Sequence, residues 1–263
     1  MKMLFLLALV VGVSLAAPIE DDGSVKASFG LAIDTNIATS TGTFSCYRSS
    51  YNIRTAFIRI YKPDNGGSVD PNGATNVQNA NNAGLGVEVY ITPSPTSSKQ
   101  GYEQLDEAYN YVTSHGVNVK SVWLQVTSPI NWGSNTQNNA NFIYSFLARA
   151  QQRNLGVGIY TNSYDWAQIT NGWTGWTSIA GGVNLWYWHV TATGTSGQTS
   201  QNFNDFASFG GWTNPVVKQY GQSINMCGNM VNADVYVTGS KKSERVQKVT
   251  DDEPIVVGLL MDA

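Results

Sequence analysis

The stretch GVEVYITPSPTSSKQGYEQLDEAYNYVTSHGVNVKSVWLQVT, residues 86–127, reads as strand, helix, strand. GVEVYIT (86–92) and SVWLQVT (121–127) alternate side-chain character with the period of a pleated strand, and the run 101–115 between them is patterned as a helix that stops at Gly116. Two strands bridged by a helix lie parallel, so this unit predicts a parallel sheet covered by helices. The same rhythm extends outward. Strands are predicted at 30–34, 55–61 and 156–161, and helices around 41–51, 72–83 and 138–153, with Gly84 and Gly156 as further stops. After Tyr164, strand-like runs at 184–190, 215–220 and 233–237 follow one another with little helix between them. The expectation is an α/β fold: a single barrel of about eight strands, TIM-barrel-like, with an irregular closing side.

Alternation also sorts the faces. Leu31, Ile33, Val87, Val89, Ile91, Val122, Leu124, Val126, Val157, Ile159, Val235 and Val237 form an apolar face suited to packing under helices. The opposite face carries Asp34, Phe57, Arg59, Tyr61, Glu88, Tyr90, Trp123, Gln125, Thr127, Tyr160, Gln219, Asn232, Asp234 and Tyr236. A packed interior does not require so many polar and aromatic groups.

At the N-terminus, Lys2, the apolar run Leu4 to Leu15 and the small-residue site at Ser14-Leu15-Ala16 read as a secretory signal over 1–16. The expected destination is outside the cell, or the lumen of secretory or lysosome-related vesicles. Residues 17–29 form a short leading segment, 30–240 the barrel, and 241–263 a tail without periodicity, expected to be disordered. No run is long and apolar enough to read as a membrane span.

Charged residues make up 13% of the chain and the net charge is -3, which leaves no basic field for a nucleic acid. Amides, hydroxyls, glycines, 8 Trp and 13 Tyr take their place, a surface of neutral hydrogen-bonding groups and flat apolar faces suited to sugars. The only cysteines, Cys46 and Cys227, read as a disulfide closing most of the domain. Neither His115 nor His189 neighbours a cysteine, so no metal or cofactor is expected, and the chain is taken as a monomer.

In such barrels function collects at the C-terminal ends of the strands, where Asp34, Thr92, Thr127, Asn162 and Asp234 fall. Of the acidic residues, only Asp34, Glu88 and Asp234 face inward; Asp70, Asp165 and the others are assigned to loops or helix surfaces. Glu88 is expected to pair with Arg59. Asp34 and Asp234, on the first and last strands, read either as a functional pair or as a polar latch.

The segments AIDTN, AFIRIY, DPNG at 70–73, VEVYITP, VWLQVTSPINW, VGIYTN, NLWYWHV and FNDFASFGGWTNPVVKQY, in this order, resemble the lysozyme-like proteins of nematodes and protists related to glycoside hydrolase family 25. That resemblance spans Gly30 to Val237 and implies a barrel of eight strands with roughly five helices, with peptidoglycan as ligand. It carries the family's first-strand Asp onto Asp34 and its last-strand Asp onto Asn232 or Asp234. The family's Asp-x-Glu falls on Gln125-Val126-Thr127. Cleft aromatics fall on Tyr61, Tyr90, Tyr160, Trp186 and Tyr236.

Neither Gln125 nor Thr127 can supply a dissociable proton near neutral pH. The sequence therefore points to a secreted lysozyme-like protein of antibacterial defence or bacterial digestion that recognises peptidoglycan with little or no turnover. The alternatives are a hydrolase working through Asp34 and Asp234, and a binding module without catalysis.

Overall fold

The computed structural model describes residues 28–238 and 254–260; the predicted signal, and residues 241–253 and 261–263 of the predicted tail, lie outside the described residues. Eight strands close a barrel: β1 (Ser28–Thr35), β2 (Ile53–Lys62), β4 (Gly86–Ile91), β6 (Ser121–Gln125), β7 (Gly156–Thr161), β8 (Asn184–Trp188), β9 (Val217–Met226) and β10 (Asn229–Thr238). All neighbours from β1 round to β9 run parallel. β10 returns antiparallel between β9 and β1 and closes the ring. Three short strands lie outside the ring: β3 (Ser68–Val69) on the end of β2, and β5 (Val117–Val119) paired with β11 (Ile255–Val257).

Among the described residues there are five α-helices, of which four fall close to their predicted places: α1 (Thr41–Tyr51), α2 (Gly73–Asn82), α3 (Gly101–Ser114) and α4 (Thr136–Gln152). Local chemistry sets their ends. Ser40 accepts from Thr43 N–H at the start of α1, and Asn135 accepts from Asn138 N–H at the start of α4. Gly84 and Gly116 follow α2 and α3 with positive φ, as a left-handed stop requires, whereas α4 is stopped by Asn154 (φ 55°) and Gly156 already belongs to β7.

The fifth helix, α5 (Ser163–Thr170), lies where little helix was expected. Asn162 caps it by accepting from Asp165 N–H, and Trp166 and Ile169, three apart, bury one face. A helix of two turns is too short to show a clear period in sequence.

The outward strand residues and the inner helix faces form the main core, which includes Ile33, Ile58, Val89, Leu124, Ile159, Phe146 and Val235. A second cluster, Ala32, Phe57, Tyr90, Trp123, Tyr160, Trp186, Val217 and Tyr236, fills the barrel. Trp186 lies at its centre, with ring centroids 4.3 Å from Tyr160 and 4.5 Å from Phe57. The predicted inward and outward faces are therefore real, with one exception. Pairing between β2 and β4 skips a residue between Arg59 and Tyr61, and this bulge turns Tyr61 into the outer core, where its hydroxyl donates to Glu107 of α3 at 2.8 Å.

Cys46 and Cys227 are disulfide-bonded and tie α1 to the β9–β10 turn, where Cys227 and Gly228 both have positive φ.

Candidate functional site

The C-terminal ends of β1, β2, β4, β6 and β7, together with the start of β10, surround a cleft of about 410 Å³ lined by Asp34, Arg59, Tyr90, Gln125, Tyr160 and Asn232 among others. A second hollow of about 350 Å³ continues from it past Thr92 and Gln125 to Thr127, Ile130 and Trp132.

Asp34 forms the acidic floor, and its surroundings can be built group by group. Gln219 Oε1 accepts from the Tyr160 hydroxyl at 2.9 Å and from Gln222 Nε2 at 2.7 Å, so its Nε2 is left to donate to Asp34 Oδ2 at 2.6 Å. Asn232 Oδ1 accepts from Ser223 N–H at 3.0 Å, which aims its Nδ2 at Asp34 Oδ1, 2.9 Å away. Burial pushes the Asp34 carboxyl up from 3.8 to about 6, against the opposing pull of the Asn232, Gln219 and Asp234 hydrogen bonds.

Asp234 lies beneath it and is fully buried. Its Oδ1 accepts from Trp186 Nε1 at 3.0 Å, while Oδ2 meets no donor among the described residues. Burial, and then the Asp34 charge, push the Asp234 carboxyl well above the usual carboxylate range. Both effects favour the protonated form of Asp234, and its ionisation is tied to that of Asp34. Hydrolysis needs carboxyls roughly 5 to 9.5 Å apart, flanking a glycosidic bond. Asp234, fully buried and absent from the cleft lining, presents no oxygen to a bond held in the cleft and does not flank it. Of the two inward positions on β10, Asn232 lines the cleft and Asp234 supports it from below.

At the end of β6, Thr92 Oγ1 donates to Gln125 Oε1 at 2.7 Å, and Gln125 Nε2 donates to Thr127 Oγ1 at 2.9 Å. The chain Thr92–Gln125–Thr127 crosses the saddle between the two hollows. It offers neutral donors and acceptors and no acid.

Several expected contacts lie elsewhere. Trp186 and Tyr236 face inward but are buried, with Tyr236 near the far end, where it pairs with Gly30 and accepts from Thr55 Oγ1 at 3.2 Å. Tyr61 lies outside the barrel for the reason given above. Tyr90, Tyr160, Gln125 and Asn232 line the first hollow, and Thr127 the second.

The predicted Arg59–Glu88 pair is replaced. Phe57 is the register partner of Glu88 and Arg59 that of Tyr90, so Arg59 sits one inward position nearer the mouth. There its Nε pairs with the buried Asp70 Oδ2 at 2.8 Å. Arg59 is a cleft residue that sequence reasoning assigned to structure; the DPNG turn carrying Asp70 was the available signal. Asp165 is also buried rather than on a surface, and accepts from Trp188 Nε1 at 3.1 Å.

Comparison with known proteins places this geometry. The sequence profile of the family described as lysozyme-like protein 1 matches residues 25–220. Lysozyme-like protein 7 of Caenorhabditis elegans is 44% identical over 93% of this chain and 83% of its own length. A probable GH family 25 lysozyme 2 of Dictyostelium discoideum is 34% identical over 74% of this chain and 85% of its own. Among solved structures, the lysozyme of Streptomyces coelicolor superposes with a TM-score of 0.56 at 18% identity, covering 81% of this chain and 94% of that one, and a family GH25 lysozyme of Aspergillus fumigatus gives 0.56 at 10% identity, covering 82% and 97%. The two structures share the barrel, and the sequence relatives share enough of the chain to fix its kinship: the protein belongs to the lysozyme-like family related to glycoside hydrolase family 25.

Proposed function

We propose that the protein is exported and binds bacterial peptidoglycan, or a related amino-sugar polymer, in the cleft above Asp34, with little or no cleavage of the glycan. Family membership supports the ligand class. One observation carries the proposed lack of turnover: the saddle between the two hollows is occupied by the hydrogen-bonded Thr92–Gln125–Thr127 chain. A general acid must hold a proton that it can release to the leaving oxygen, and neither an amide nor an aliphatic hydroxyl does so near neutral pH. The same groups suit recognition. Asp34 accepts from sugar hydroxyl or acetamido N–H groups, Asn232 and Gln125 exchange neutral hydrogen bonds, and Tyr90 and Tyr160 present ring surface.

Export rests on the signal-like segment at 1–16. In the test, purified protein is incubated with isolated bacterial walls, and retention on the walls and release of new reducing ends are both measured. Retention without release is expected; failure to sediment with the walls removes the reading.

A further inference from the structure

Barrels of this class have two ends, and the end opposite the cleft is occupied by the chain itself. Residues Ile255–Val257 run parallel to β5 in register with Val117–Val119, and Lys120 N–H donates to Val257 O at 2.9 Å. The chain then turns inward. Gly258 N–H donates to Val87 O at 2.9 Å, and Leu260 N–H donates to Glu88 Oε1 at 2.9 Å. Glu88 is almost fully buried and also accepts from Ser121 Oγ at 3.2 Å and Trp123 Nε1 at 3.0 Å. The Leu260 side chain packs on the aromatic cluster that fills the barrel, and Val257 is fully buried in the outer core.

Three features make this a site with sequence requirements rather than a resting place for a loose end. Gly258 has φ +85°, and a Cβ there would lie 2.3 Å from Ser121 N and 2.8 Å from Ser121 O, so the position accepts only glycine. The edge of β5 that receives Ile255–Val257 provides main-chain pairing for an extended segment. Glu88 provides a buried carboxylate that fixes the depth of the peptide through one amide. We propose that the base of the barrel is a peptide-binding site for an extended apolar strand with glycine at its inward turn, and that the chain's own residues 254–260 are its ligand. This reading is independent of what the cleft binds.

The full-length chain tests it by amide hydrogen exchange. Lys120, Gly258 and Leu260 are expected to be protected, and a segment 254–260 exchanging like an unfolded peptide overturns the proposal. In full-length Gly258→Val, whose Cβ meets the Ser121 backbone at a positive φ, exchange at all three amides is expected to accelerate at least about tenfold, the order of effect of one strained backbone position. A synthetic peptide of residues 253–260, added in trans, should restore protection at Lys120 of that variant. Unchanged exchange in the variant, or no restoration by excess peptide, contradicts a specific site. Should Gly258→Val not fold, Leu260→Ala in the full chain takes its place, with the same expectation at all three amides and the same restoration at Lys120.

Discussion

The two ends of the barrel treat a carboxyl group in opposite ways. At the base, Glu88 sits among fixed donors, the Ser121 hydroxyl, the Trp123 indole and the Leu260 amide, beneath a segment of the chain's own C-terminus. At the mouth, Asp34 is held by two oriented amides above the buried Asp234 and borders an open cleft. The base resembles a core that contains a carboxyl group met by fixed donors, whereas the mouth places its carboxyl at the edge of the cleft, where burial raises its pKa to about 6. Buried groups that serve stability are satisfied by the protein, and groups that meet a ligand keep capacity in reserve. The contrast follows the general division in such barrels between a stabilising N-terminal face and a functional C-terminal face.

The largest effect expected from breaking this arrangement is on the hairpin that closes the mouth side. Cys46→Ser with Cys227→Ser releases a closure spanning 181 residues, and denaturant unfolding should show a loss of about 4–5 kcal/mol by the loop-entropy account. Next is the base. Glu88→Ala strands the Ser121, Trp123 and Leu260 donors without that acceptor and opens a void, and should lower the unfolding free energy by about 3 kcal/mol.

At the mouth, Asp34→Asn should weaken wall binding by at least about tenfold, the order expected for losing a charged hydrogen-bonding partner. Its effect on stability is one of slope. Asp34 is raised in the folded state from 3.8 to about 6, so the folded protein holds this proton more tightly than the unfolded chain. The wild type therefore loses stability as pH rises through that interval and levels off above it. Thermal unfolding across the same interval should show a flatter profile for Asp34→Asn. The smallest effect is expected for Asp234→Asn, which keeps an acceptor for Trp186 Nε1 and stays away from the cleft; wall binding should change less than about threefold and stability by less than about 1 kcal/mol.

The same contrast explains what could be read from the sequence. Alternation along 86–92 and 121–127 gave the faces of the barrel, because the period of a strand does not depend on its neighbours. Depth along the barrel axis does depend on them. Trp186, Tyr236 and Asn232 all point inward, and only register with adjacent strands separates the buried Trp186 and Tyr236 from Asn232 at the cleft. Register also moved Arg59 away from Glu88, and a single bulge carried Tyr61 to the opposite face. The disulfide was legible from the even cysteine count. The docked tail was not, since three strand residues, a glycine and one amide form a signal only against the surface that receives them.

The central claim is that the mouth holds a ligand-binding carboxylate without the acid needed to cut. Its most direct test is release of reducing ends from purified peptidoglycan by the wild type beside the Gln125→Asp, Thr127→Glu double variant. The account predicts no release by the wild type, with release appearing only when the carboxyls are introduced. Wild-type release that Asp34→Asn abolishes would contradict it.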